Sequence, residues 1–140
     1  MRLAALAGAV LTTVALSATA ANATPSSGVT GTIISETTVA GKDIIVREIT
    51  IAPGGTTGWH HHDGTLYAYV RSGTLTHNKS DCSIDGIYHA GDALIEQAGA
   101  DNVHVGRNLG TTPMVLDVVY VLPAGAPLAV DEPNPGCDFQ

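Results

Sequence analysis

The chain has one phenylalanine, one tryptophan, and only six lysines and arginines against thirteen acidic residues. Its basic residues form no run, so it has no electrostatic footprint for nucleic acid or for an anionic membrane surface. It has only two cysteines, Cys82 and Cys137, and no Cys-rich element, which excludes a thiolate-built metal cluster. Beyond the first residues no apolar period of 3.6 is sustained over three turns, which excludes a helical domain. No internal repeat is long enough for a two-barrel chain. At 140 residues the chain forms one domain.

What is present begins with a leader. Met1-Arg2 supplies a positive end, residues 3–16 are apolar, and Ala21-Asn22-Ala23 is a small-residue cleavage site. Residues 1–23 are therefore expected to be a secretory signal peptide. The apolar run is interrupted by Thr12, Thr13 and Ser17, which argues against a permanent membrane anchor. The expected mature protein starts near Thr24 and is secreted or extracytoplasmic. Its length suffices to bury well over half of its unfolded surface.

An even pair of cysteines in an exported chain favours a Cys82–Cys137 disulfide. The bond would close a loop of about 55 residues and contribute about 4 kcal/mol in the chain-entropy picture. Two free thiols, or a pair serving a metal, are the alternatives. Cys137 lies in a Pro/Gly-rich tail, residues 124–140, with too few apolar residues to dock by burial alone. The disulfide is expected to hold it.

Between leader and tail the pattern is short β-branched runs punctuated by glycine. Strands are expected at 29–35, 44–51, 66–70, 74–77, 93–96, 103–107 and 114–122. Arg71-Ser72-Gly73 reads as a hairpin-like turn, and Gly91-Asp92, Gly99 and Gly110 mark further loops. Short strands at intervals of about ten residues predict an all-β sandwich or barrel, with a double-sheet jelly roll the best fit.

Six histidines carry the chemical interest. Pro53-Gly54-Gly55 precedes His60-His61-His62. In an extended chain His60 and His62 share one face. His104 sits between valines in a second strand. Three imidazoles from two strands suit a first-row divalent metal; taken alone, His60 and His62 could equally be polar residues at a strand end. His61 should face the other way, toward solvent or Trp59. His77 and His89 lack a partner at ligand spacing and read as surface or turn residues. Tyr67 and Tyr69 share a strand face and are candidates to line a cavity, with core packing the alternative. Arg107, if it faces inward, needs a carboxylate partner or an anionic ligand.

Gly54-x5-His60-x-His62 with Gly73, followed by Gly91, Gly99 and His104-x3-Asn108, resembles the two motifs of the cupin superfamily. The likeness covers about residues 54–108. It implies a single cupin-type double-stranded β-helix over residues 24–123, with His60, His62 and His104 as metal ligands and Asn108 as a structural residue. Three departures stand out. Two extra residues precede His104, and the motif's proline is Gln97. More consequentially, the first motif's glutamate falls on Leu66, which cannot ligate, and the neighbouring Tyr67 is a poor substitute.

Glu96, closing the apolar stretch 93–95, is the candidate replacement, as fourth ligand or as proton acceptor beside a metal-bound water. Its alternative is a rim residue facing water. Strand parity puts Leu94 in the same pocket. Zn, Mn, Ni, Cu and Fe all suit the ligand set.

Cupins include dioxygenases, isomerases, decarboxylases and plain binders, so fold alone does not choose an activity. Two readings follow: a secreted metal-dependent enzyme acting on a small organic molecule, or a non-catalytic cupin that binds a metal or small ligand. A metal-free pocket that shapes a substrate for cyclisation or isomerisation is a third. The expected partner is a small molecule, and a homodimer stays open.

Overall fold

The alternation Ile45, Ile49, Ile51 along a β-branched stretch builds the long strand β2 (Lys42–Thr56), and these isoleucines are buried. The computed structural model describes residues 23–140, so all of the expected leader except Ala23 lies outside the described residues. Strand β1 (Ser27–Val39) folds back on β2 through Ala40-Gly41. Both turn residues have positive φ, 49° and 75°, the two-residue geometry that matches strand twist.

The remaining strands are β3 (His60–His61), β4 (Thr65–Ser72), β5 (Thr74–Lys79), β6 (Ile84–His89), β7 (Ala93–Glu96), β8 (His104–Arg107), β9 (Met114–Pro123) and β10 (Val130–Asp131). All pairings are antiparallel. One layer runs β1-β2-β9-β4-β7 and the other contains β6-β5-β8-β3-β10. Thr56 at the end of β2 pairs with Arg107 of β8 and joins the two layers. The architecture is the expected all-β jelly-roll barrel.

The first layer supplies the apolar core. Its inward residues include Ile51, Val70, Met114 and Leu122, all fully buried. Each such side chain contributes about 1.5–3 kcal/mol by leaving water. The second layer faces that core with Leu75 and with polar groups: His60, His62, His77 and His104 are all buried. The barrel is therefore apolar on one wall and imidazole-rich on the other, which places the polar cluster between the layers.

Three expectations are corrected. Arg71-Ser72-Gly73 is not a hairpin, since β4 pairs with β7 and β9 while β5 pairs with β6 and β8. Gly73 (φ 77°) is instead a corner between layers, where a Cβ would press on the Met114 and Pro113 backbone. Strand β6 was not foreseen, because Ile84–His89 mixes charge and glycine with its apolar residues.

The tail, too, has anchors besides the disulfide. Phe139 stacks on Trp59 at 5.9 Å, Arg107 lies 3.8 Å over the Phe139 ring, and β10 pairs with β3. The Cys82–Cys137 bond itself is present.

Candidate metal centre

His60 opens the two-residue strand β3, His62 follows it directly, and His104 opens β8 across from His60. The two extra residues before His104 are taken up by a 3-10 turn, Ala100–Asn102. Glu96 ends β7. One ligand atom from each of His60, His62, Glu96 and His104 can be chosen so that all four lie within 4.8 Å of one another. The cluster is able to hold a metal ion.

The hydrogen bonds behind the rings fix their tautomers. Nδ1 of His60 donates to the Gly58 carbonyl at 2.9 Å, that of His62 to Leu128 at 2.7 Å, and that of His104 to Asn102 at 2.8 Å. A carbonyl only accepts, so each Nδ1 carries the proton and each neutral Nε2 is a bare lone pair. The Nε2 atoms of His60 and His62 stand 3.1 Å apart. Glu96 Oε2 is 3.1 Å from His62 Nε2 and 3.4 Å from His104 Nε2. His104 Nε2 is buried with no hydrogen-bond partner. The convergent atoms are thus all acceptors, an arrangement that a cation completes. A second proton is not the substitute at His60: burial first, then the neighbouring His104 and His62, lower its pKa to about 3. Glu96 is ionised, because contacts with His104, His62 and His77 overcome the upward push of burial.

Glu96 is therefore no rim residue; its side chain is 13% exposed. Leu94 shares its face and pairs with Ala68, but it lies in the apolar core and not in the cavity walls. The tyrosine expectation is overturned. Tyr67 and Tyr69 are 49% and 47% exposed, because Leu66, Ala68 and Val70 take the inward face of β4. His61 is buried under the tail and not exposed, with Nδ1 2.8 Å from Glu132. His89 stays on the surface, in contact with Thr74. Asn108 has the structural role, donating to the carbonyls of Ile51 and Thr112. Arg107 Nη2 donates to Asn78 Oδ1 at 2.9 Å and the guanidinium lies over Phe139, but its buried Nε has no hydrogen-bond partner, and among the described residues Arg107 makes no carboxylate ion pair.

Sequence reasoning missed His77. Its ring lies 4.8 Å from that of His104, and its buried, unpartnered Nε2 is 3.5 Å from Glu96 Oε1. Asp85 holds the other nitrogen at 2.6 Å. Burial pulls the His77 pKa down, but Glu96 and then Asp85 outweigh it and raise the pKa above the ordinary value. The available signal was parity, since His77 shares a strand face with the core residue Leu75.

Two spaces reach Glu96. A solvent-facing cleft of about 230 Å³ ends at His77, Glu96 and His104. On the barrel side, a small apolar cavity of about 50 Å³ touches His60, His62, Glu96 and Tyr120.

Several solved structures share this architecture. The polyketide cyclase RemF from Streptomyces resistomycificus is similar with a TM-score of 0.63 at 19% identity, over 80% of this chain and 79% of that one. A protein with a double-stranded β-helix domain from Klebsiella pneumoniae gives 0.57 at 24% identity, over 74% and 83%. An oxalate oxidase in complex with glycolate gives 0.57 at 24%, over 74% of this chain and 54% of that one. Identities this low carry the fold and not the chemistry. No curated protein matches the sequence. The cupin domain signature matches residues 47–122, more than half of the chain, and spans His60, His62, Glu96 and His104. The chain belongs to the cupin family.

Proposed function

We propose that the protein is an exported cupin enzyme that holds one divalent metal through His60, His62, His104 and Glu96 and acts on a small organic molecule. The observation that carries this reading is the convergence of three locked imidazole lone pairs and a buried carboxylate on one point. Glu96 supports the enzyme reading over the plain binder, because it restores the anionic ligand that Leu66 lacks. A metal bound there supplies Lewis-acid polarisation of a substrate oxygen or activation of water. The chain's own groups provide the rest. The carbonyls of Gly58, Leu128 and Asn102 orient the rings, and Glu96 is held ionised beside His77. Export is supported by the leader composition and by the Cys82–Cys137 disulfide, a bond that persists in oxidising compartments.

The test is the metal content of purified mature protein by mass spectrometry, beside a His60→Ala/His62→Ala version. The reading expects close to one divalent metal per chain in the first and a loss in the second. Equal content in both would remove it. Turnover of small oxygen-bearing substrates by the metal-loaded protein then separates enzyme from binder.

A further inference from the structure

Arg47 interrupts the inward apolar stripe of β2. Side chains alternate along a strand, so Arg47 points the same way as Ile45, Ile49 and Ile51, into the barrel. An arginine placed there calls for an anionic partner, because its charge is costly to remove from water alone. Among the described residues none is paired with it. The nearest carboxylates along the sheet, Glu48 and Asp117, face outward and bind Arg71 instead, at 2.7 and 2.6 Å. Among the described residues Arg47 forms no ion pair, and residues 1–22 contain no acidic side chain.

The surroundings of the guanidinium are built for it. Gly31 of β1 lies against it, and a Cβ at that position would overlap the guanidinium nitrogens and carbon. The guanidinium helps line a mouth of about 190 Å³ that also touches His60, His62 and Tyr120. Ile49, Thr57, His60, His62 and Tyr120 are shared between this mouth and the small inner cavity at Glu96. Tyr120 bridges the two spaces: its phenol lies close enough to Arg47 to feel its charge, and its ring meets the His62 ring edge-on at 6.1 Å. Asp131 stands at the same mouth as an exposed carboxylate that does not pair with Arg47.

We propose that Arg47 anchors the anionic end of the ligand, and that the ligand class is a small organic carboxylate with a second oxygen that reaches the His60/His62/His104/Glu96 centre. The guanidinium matches a carboxylate with two parallel hydrogen bonds, a geometry that a lysine or a neutral amide does not reproduce. The metal end of this assignment rests on the function proposed above; the anion end does not.

The experiment is calorimetric titration of lactate, 2-oxobutanoate and salicylate, each beside its neutral amide, into the zinc-loaded mature protein. At least one acid should bind, and its amide should not. Arg47→Met should weaken the acid by about tenfold or more, the loss expected from removing a charge-assisted pair of hydrogen bonds at a half-buried position. Its metal content should stay at the wild-type level. Gly31→Ala is the second variant; it leaves the charge in place but displaces the guanidinium, and it should weaken the same acid. The His60→Ala/His62→Ala protein separates the two proposals, because weakened binding that still depends on Arg47 there would uphold the anion site without the metal. Equal binding of acid and amide, full affinity in Arg47→Met, or no binding by any of the three acids would overturn the assignment.

Discussion

Glu96 pairs directly with Leu66 across β7 and β4. Residues opposite each other in an antiparallel pair point to the same face, with Cβ atoms about 5 Å apart. The position where the family motif places its glutamate therefore faces the same interior as the glutamate this chain has. Glu96 thus stands one strand sideways from the motif position, on the same inward face.

The shared face makes the exchange testable. Glu96→Gln keeps the size and removes the charge, and it should lower metal affinity more than about tenfold, the lower bound for losing even an outer partner of a metal ligand. Leu66→Glu combined with Glu96→Leu should recover much of that loss, measured by competition with a chelating dye. A double variant no better than Glu96→Leu alone would show that the two positions are not interchangeable.

The acid response of the metal-free protein should come mainly from His60. In the folded chain it stays neutral down to about pH 3, against 6.5 when unperturbed. Between those values the unfolded chain binds the extra proton, so stability falls as pH drops through that window. The slope is at most about 1.4 kcal/mol per pH unit for one group. Glu96, with its depressed pKa, adds loss of the same sign at still lower pH. His77 has the opposite sign: its raised pKa contributes stability below about pH 6.5 that is lost as pH rises through its folded value. Thermal melts of metal-free protein from pH 7 to pH 4 should descend, and His60→Asn should flatten the descent. An unchanged slope in His60→Asn would assign the acid loss to other groups.

His77 and Glu96 should be energetically coupled. A double-mutant cycle with His77→Ala and Glu96→Ala, read by urea unfolding of metal-free protein, should give an interaction of about 0.5–3 kcal/mol. Additive effects would mean that the 3.5 Å approach of Nε2 to Oε1 has no energetic content.

Removing the disulfide by Cys82→Ser/Cys137→Ser should cost about 2–4 kcal/mol, since it frees a loop spanning 55 positions in the unfolded chain. The tail should nonetheless remain on the barrel, because Phe139, β10 and the Glu132–His61 contact hold it independently. Limited proteolysis that trims the tail at once in the variant would show that the bond is the sole anchor.

The readable parts of this chain were the local ones. Alternation at 45/49/51 and 114–122 announces inward faces, and the two-residue spacing of His60 and His62 announces a shared one. Glu96 was reachable because an apolar stretch ended in a charge where the motif lacked one. For His77, parity with Leu75 offered the inward face, but its closeness to Glu96 depends on β5 pairing with β8, His77 opposite Gly106, which no local pattern encodes. For Tyr67 and Tyr69 parity put both on one face but not on which; the apolar Leu66, Ala68 and Val70 on the alternate positions took the interior. The seat of Phe139 beside Trp59 joins residues 80 apart and was equally invisible.

That last contact gives the molecule a built-in optical reporter. Trp59 is the single tryptophan, fully buried, adjacent in sequence to His60 and stacked on Phe139. Its emission on excitation near the red edge of absorption therefore arises from one site. That site lies beside the ligand cluster and is covered by Phe139 of the tail. Occupancy of the centre and seating of the tail can both be followed in real time on unlabelled protein, and a bulky fusion at Gln140 would disturb the probe first.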